Sequence, residues 1–316
     1  MTVTETTETI VMTGATRGIG LEAAKALLQL EPRTHLVVLA RAASAARVMP
    51  DLLAVSPHVS TVDVDLASTK STNAAAQQVE DRLDAGCLPA LSRVVCNAGV
   101  HLDSALHTTV DGYERTFAVN VLATHLLLRR LHPHLRSPAR IVVTVSDAHF
   151  GDLRHTGGTF PRTAWNSPDI LFRPGAYRRS GTVRAGRRAY ATSKLGGIFL
   201  VHEWARRLPE GIDIVAYNPS LVIGTGLASE AGGASDFLMR NVVPALTATP
   251  LVDTPGVAGL KLADAISGVT KAPSGSYVHR KRTMSSSKDS YDPAREAELW
   301  AWLENVADQD PASPPL

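Results

Sequence analysis

From residue 9 onward, short and continuously apolar β-branched runs alternate with segments whose apolar residues recur at helical spacing. The runs are Thr9–Thr13, His35–Ala40, Thr61–Asp65, Arg93–Asn97, Arg140–Ser146, Asp213–Asn218 and Ser276–His279. Strands that are apolar on both sides must be covered on both faces. The helical stripes, Leu21–Leu30, Thr72–Leu83, Asp111–Leu131 and Arg188–Leu208, lie between them. This order predicts an α/β fold, a doubly wound parallel sheet of about seven strands with helices on both faces. No repeat and no linker interrupts the alternation, so residues 1–316 read as a single domain. The polar or Pro-rich ends, 1–8 and 308–316, are expected to fray.

Two stretches break the pattern. Residues 150–187 are rich in Gly, Pro and Arg with little periodicity, and a loop of that length is commonly functional or mobile. Residues 226–250 hold a short apolar segment between Gly and Pro, which reads either as a lid over a site or as a surface helix. Both stretches are expected to shape a substrate pocket.

Composition narrows the class. With 44% hydrophobic and 20% charged residues the chain has material for a core and is not intrinsically disordered. A formal charge of +2 gives no reason to expect nucleic acid or a membrane surface as partner. No apolar run reaches the ~18 residues of a membrane span. Two cysteines, Cys87 and Cys96, are too few for a disulfide framework or a zinc site, and the polar, acidic start is no secretory signal, so a cytoplasmic location is expected.

The chemistry-bearing residues gather where predicted strands end. Thr13-Gly-Ala-Thr-Arg-Gly-Ile-Gly20 leaves the first strand and opens the first helix. Gly14 would permit the tight turn, Gly18 the approach of a pyrophosphate, and Gly20 close helix–strand packing, with helix N–H groups favouring phosphate. About 20 residues further on, a dinucleotide site usually places an acid on the adenosine ribose. Leu39-Ala40-Arg41 stands there instead. Arg41, with Arg17 in the glycine loop, suits a 2′-phosphate and favours NADP(H) over NAD(H).

Asp65, Asn97, Ser146 and Asn218 each sit at the carboxyl end of a predicted strand, where open α/β sheets bind ligands. Asp65-Leu66 would accept from an adenine amino group or cap a helix. Asn97-Ala98-Gly99 would let backbone approach a ribose. Asn120 is an amide on an apolar helix face and must find a partner. Tyr190 and Lys194, at i and i+4, share a helix face, and the cation is expected to lower the phenol pKa for proton exchange.

These motifs together resemble the short-chain dehydrogenase/reductase superfamily over residues 9–225. The loop T-G-x-x-x-G-x-G, Asn97-Ala-Gly99, Asn120, Ser146 and Tyr190/Lys194 fall in the family's order. Asp111-Gly-Tyr-Glu114, Arg140-Ile-Val, Tyr190-Ala-Thr-Ser-Lys-Leu195, Ser274-Gly-Ser-Tyr277 and Glu298-Leu-Trp300 look more narrowly like the retinol dehydrogenase and protochlorophyllide reductase subgroup. The resemblance implies a Rossmann fold and a catalytic set of Asn120, Ser146, Tyr190 and Lys194. It implies cofactor contacts at Gly14, Thr16, Arg17, Gly18, Ile19, Gly20, Arg41, Asp65, Leu66, Asn97, Ala98, Gly99, Tyr190, Lys194, Pro219, Ser220, Val222 and Thr225.

Its departures are specific. Ser220 stands where the family usually has Gly, and Thr225 is one residue beyond the usual threonine position, which holds Gly224. Tyr190 follows Ser146 by 44 residues, a far longer gap than is usual in the superfamily. The intervening insertion resembles the long one of protochlorophyllide reductase but has no cysteine, which argues against light-driven pigment chemistry. His149 and His155 flank Asp152 at a spacing that does not predict a metal site. The insertion carries Arg154, Arg162, Arg173, Arg178, Arg179, Arg184 and Arg187, with Arg188 adjoining, against Asp152 and Asp169. It reads as a solvated basic loop or as a surface for an acidic substrate or carrier.

The expectation is an NADPH-dependent ketoreductase, reversible as an alcohol dehydrogenase, acting on a small lipophilic or natural-product-like carbonyl compound as a monomer or homodimer. Tyr190 would protonate the alkoxide, Ser146 would hold the carbonyl oxygen, Lys194 would hold the nicotinamide ribose, and Asn120 would fix a water. Reduction of C=C or C=N by the same residues, or a non-catalytic NADP(H) sensor on the same fold, are the alternatives.

Overall fold

The computed structural model describes residues 5–222 and 252–309. Its strands are β1 (Glu8–Thr13), β2 (Thr34–Ala40), β3 (Val59–Asp63), β4 (Leu91–Cys96), β5 (Leu135–Thr144), β6 (Ile212–Asn218), β7 (Tyr277–His279) and β8 (Arg282–Met284). They form one sheet in the order β3-β2-β1-β4-β5-β6-β7-β8. Every neighbouring pair is parallel except β7 and β8. The eighth strand has no counterpart in the pattern reading, because its three residues are all exposed and carry no apolar signal.

The helices are α1 (Gly18–Leu30), α2 (Ala42–Val55), α3 (Thr69–Asp84), α4 (Arg115–Phe117), α5 (Ala123–Leu131), α6 (Leu153–Thr156), α7 (Pro168–Leu171), α8 (Val183–Arg207), α9 (Pro255–Ile266) and α10 (Pro293–Asp308). A π-helical turn, Ala118–Leu122, joins α4 to α5. The short helices α6 and α7 and three longer ones escape the pattern reading. Helix α2 contains Pro50 and buries only Ala45, Val48 and Leu52. Helix α9 packs on α1 largely through Ala258, Gly259, Ala263 and Ala265, which read weakly as a stripe. Helix α10 was obscured by its charges.

Successive residues of each central strand enter opposite cores. Val11 and Val37 face the side that holds Phe117, Leu127, Phe199 and Leu303, while Ile10, Met12, Leu36 and Val38 face the side that holds Leu27 and Leu262. That two-sided burial is the reason the strand sequences are apolar without alternation.

The expected frays need correction at their inner ends. Glu8 is the first residue of β1; it accepts from the Ser92 hydroxyl at 2.7 Å and pairs with Arg93 at 3.2 Å. Asp308 ends α10 and accepts from Arg129 Nη2 at 2.5 Å. The insertion is not a detached loop either. Leu171 and Phe172 are buried, Phe172 stacks on Trp302 at 4.1 Å, and α8 begins at Val183, inside the stretch read as irregular. Helix α10 packs on α5 and α8, where Trp300 meets His125 at 5.1 Å and Trp204 at 5.1 Å. The segment 226–250, with Gly224 and Thr225, lies outside the described residues.

Candidate active site

The glycine loop is built for close approach. Gly14 has φ +71°, and a Cβ on Gly20 would lie 2.0 Å from the Gly14 carbonyl oxygen. Only hydrogen fits there. Asn97, just beyond β4, fixes the loop: its Nδ2 donates to Gly14 O at 3.1 Å, and its Oδ1 accepts from Thr144 Oγ1 at 3.0 Å. Ala98 N donates to Thr13 Oγ1 at 3.1 Å. Helix α1 starts at Gly18 with no side-chain cap and no acidic residue in its first turn. Gly18 and Ile19, both half-buried, open this uncapped turn; Thr16 is half-buried and Arg17 is exposed. A bare helix N-terminus over a glycine cradle fits a dinucleotide pyrophosphate.

Arg41 is exposed at the start of α2. Sequence reasoning saw no acid there, but tertiary structure brings one: Asp63, the last residue of β3, accepts from Ala42 N at 2.7 Å. The carboxylate satisfies the first turn of α2 beside Arg41. Asp65 lies two residues beyond β3, and its Oδ1 accepts from Ala67 N at 3.0 Å. It does not cap α3; Ser68 does, accepting from Ser71 N. Leu66 is half-buried beside it.

Asn120 and Lys194 converge around Gly99, where a Cβ would meet Asn120 Oδ1 at 3.2 Å and Lys194 Nζ at 3.3 Å. The π-helical turn presents Asn120 to the next segment; such turns recur at functional sites. Asn120 Oδ1 accepts from Val100 N at 2.9 Å, while Nδ2 donates to Val100 O at 3.1 Å and Ser193 Oγ at 3.0 Å. Both amide hydrogens are committed, so the side chain braces the loop after β4 rather than donating to a water. Lys194 Nζ donates to Thr144 O at 2.9 Å and lies 5.6 Å from the Tyr190 ring centroid.

Here the expected phenol shift is reversed. Burial pushes the Tyr190 phenol up to about 12, opposed by a hydrogen bond with the Ser146 hydroxyl, and burial draws the Lys194 ammonium down to about 8. Loss of solvent is the dominant influence on the phenol, while the Lys194 ammonium is hydrogen-bonded to the Thr144 carbonyl.

Ser146 starts a short 3₁₀ turn, Asp147–Phe150, with its hydroxyl accepting from Ala148 N at 3.2 Å. Residues that sequence reasoning gave no role secure it. His149 Nδ1 donates to Ser146 O at 2.6 Å, and its Nε2 accepts from Ser287 N at 3.0 Å. Tyr277 donates to Asp147 Oδ1 at 2.7 Å and accepts from Asn218 Nδ2 at 2.7 Å, tying β5, β6 and β7 together beside Ser146. Asn218 Oδ1 accepts from Ser220 N at 2.9 Å. Ser220 has φ +66°, the left-handed conformation that favours the family's usual Gly. Pro219 is half-buried between them, and Val222 bridges to Asp253. Adjacency to Ser146 was the available signal for Asp147 and His149; Tyr277 stood in the subgroup-like motif Ser274-Gly-Ser-Tyr277, which gave it no place beside Ser146.

Residues 8–156 match the short chain dehydrogenase family. The chain is 31% identical over 226 residues to a short-chain dehydrogenase/reductase of Pestalotiopsis microspora, covering 70% of this chain and 72% of the relative. It is 28% identical over 323 residues to chloroplastic protochlorophyllide reductase A of Oryza sativa subsp. japonica, covering 94% of this chain and 80% of the relative. In fold it is similar to an NADPH-bound carbonyl reductase from chicken fatty liver, with a TM-score of 0.60 at 20% identity, covering 89% of this chain and 99% of the other.

Proposed function

The chain belongs to the short-chain dehydrogenase/reductase family, on the side of its protochlorophyllide reductase-like members, and from that premise we propose that it is an NADP(H)-dependent carbonyl reductase, reversible as an alcohol dehydrogenase. The observation that carries the reading is the coupling of the Tyr190 phenol to Ser146, with Lys194 and Asn120 beside them, next to the glycine cradle. Bound at that cradle, the reduced nicotinamide would supply a hydride.

The chain's own residues do the rest. With its pKa near 12, Tyr190 keeps its proton at neutral pH and can give it to a developing alkoxide. Ser146 is placed to donate to the same oxygen. Lys194 supplies positive charge beside the phenol and would hold the nicotinamide ribose when the cofactor is bound. Arg17 and Arg41, both exposed and without a carboxylate partner among the described residues, support a 2′-phosphate, and Asp63 opposes it over a short distance. The substrate reading is a small carbonyl compound. Cover of the α5 and α8 faces supports a monomer, and two free thiols, Cys87 and Cys96, suit a reducing cytoplasm. No helix among the described residues is long and apolar enough to cross a membrane.

The test is NADPH oxidation over a panel of ketones and aldehydes, with variants. Tyr190→Phe should lose ~10²–10⁴-fold in kcat with cofactor binding kept. Ser146→Ala should lose ~10²–10³-fold. Wild-type turnover by Tyr190→Phe would remove the phenol from the reaction.

A further inference from the structure

Three rings meet at Tyr190. His101 lies 4.8 Å from the Tyr190 ring centroid and 5.4 Å from that of Phe160, and Phe160 is itself 5.4 Å from Tyr190. The imidazole is only 6% exposed, yet its Nε2 has no hydrogen-bond partner among the described residues. A buried polar atom is almost always paired, so an orphan beside a reacting group needs an explanation.

Its position is fixed on both sides. Val100, the preceding residue, is held at N–H and C=O by Asn120. The following segment lies flush on α8, where a Cβ on Gly186 would stand 2.2 Å from Leu102 O. Arg187 sits one helical turn before Tyr190, on the same face. Its Nη1 donates to Thr159 O at 3.4 Å, and among the described residues its buried Nε has no partner and no carboxylate pairs with it. Arg187 is close enough to act on the imidazole, which this cation and, more strongly, burial hold down at about 4. His101 is therefore neutral at physiological pH, a hydrogen-bonding group rather than a second cation.

We propose that His101 Nε2 and Arg187 form a substrate anchor beside the Tyr190 phenol, selecting aryl or similarly flat carbonyl compounds that carry a carboxylate. The flat aromatic wall of Phe160 and Tyr190 receives the hydrophobic body, the guanidinium neutralises the carboxylate, and the imidazole completes its hydrogen bonding. This deepens the reductase reading and rests on it for the position of the carbonyl.

The test uses binding as well as turnover. Calorimetric titration of the full chain, with and without NADP+, compares 4-acetylbenzoate with its methyl ester. The acid should bind at least tenfold more tightly. Arg187→Gln should lose about 10- to 150-fold in acid affinity and little for the ester, as expected for a hydrogen bond to a charged group. His101→Phe, which keeps the ring packing, should also weaken the acid selectively, with NADP+ affinity unchanged in both variants. Equal binding of acid and ester by the wild type, or equal loss of both in the variants, overturns the anchor. Selective acid binding without reduction of either compound would keep the anchor and remove the reductase reading; reduction of the ester with no acid preference would do the reverse.

Discussion

Lys194 Nζ donates to the carbonyl oxygen of Thr144 at 2.9 Å, so the cation beside the catalytic phenol is fastened to the last residue of the strand that leads into Ser146. Burial holds this ammonium at about 8 while Tyr190 stands at about 12. As pH rises through about 8, Lys194 loses its charge first and Tyr190 stays protonated. Reduction should therefore decline above pH 8 by about tenfold per pH unit in kcat/KM. Lys194→Arg keeps its charge and should lose this alkaline limb even if slower. A pH–rate profile with the same limb in the variant would assign it to another group.

Cofactor choice turns on Arg41. Arg41→Ala should weaken NADPH by about 10- to 150-fold and NADH far less, since only NADPH presents the 2′-phosphate. Because Asp63 occupies the first turn of α2, Asp63→Asn should sharpen the preference for NADPH, by removing a negative charge from that end. Fluorescence titration of both cofactors decides it. Equal losses for NADPH and NADH would make Arg41 a structural residue.

Ser220 adopts φ +66° immediately after the Asn218 bond. Side chains in the left-handed region cost about 1–2 kcal/mol relative to Gly. Ser220→Gly should raise the urea midpoint by about 1 kcal/mol of stability after the entropy of the unfolded glycine is counted. A lower midpoint would mean that the Ser220 side chain contributes more than its backbone costs.

The insertion is part of the core and should behave so. Phe172 is 1% exposed and packs on Phe117 at 5.3 Å and on Trp302 at 4.1 Å. Phe172→Ala should cost about 3–5 kcal/mol by chemical denaturation. Replacing the whole of 150–187 by a short turn would remove this packing, so a loss of fold would say nothing about substrate. A cost near zero would restore the reading of a detached loop.

Acid should loosen the Ser146 turn. His149 donates at Nδ1 and accepts at Nε2, an arrangement only the neutral ring can make, and burial first of all holds it at about 4. Unfolded, it would protonate near 6.5. The unfolded state therefore binds more protons between these values, and stability is lost as pH falls from about 6.5 to about 4, by about 3 kcal/mol from this residue. His149→Gln should flatten that decline in urea midpoints; an unchanged slope would shift the effect to His101 or other groups.

The sequence by itself determined a parallel sheet and the positions of seven of its strands along the chain, because residues such as Val11 and Met12 must be buried on opposite faces and leave no alternation to mistake; the order of the strands across the sheet and its antiparallel eighth strand came from the tertiary structure. It determined the glycine loop too, since Gly20 is required by the Gly14 carbonyl of the same loop, and the Tyr190/Lys194 spacing, which helix geometry fixes; the contacts that confine Gly14 come from Asn97 and Ala98, far along the chain. Tertiary structure decided what depends on neighbours far apart in the chain. It placed Asp63 at the start of α2, committed both amide hydrogens of Asn120, and reversed the expected Tyr190 shift, because desolvation comes from the whole fold packed around a side chain. It also folded Phe172 into the core from a stretch with no periodicity. No local pattern marks His101 either: its burial against Tyr190 exists only once the loop after β4 lies on α8.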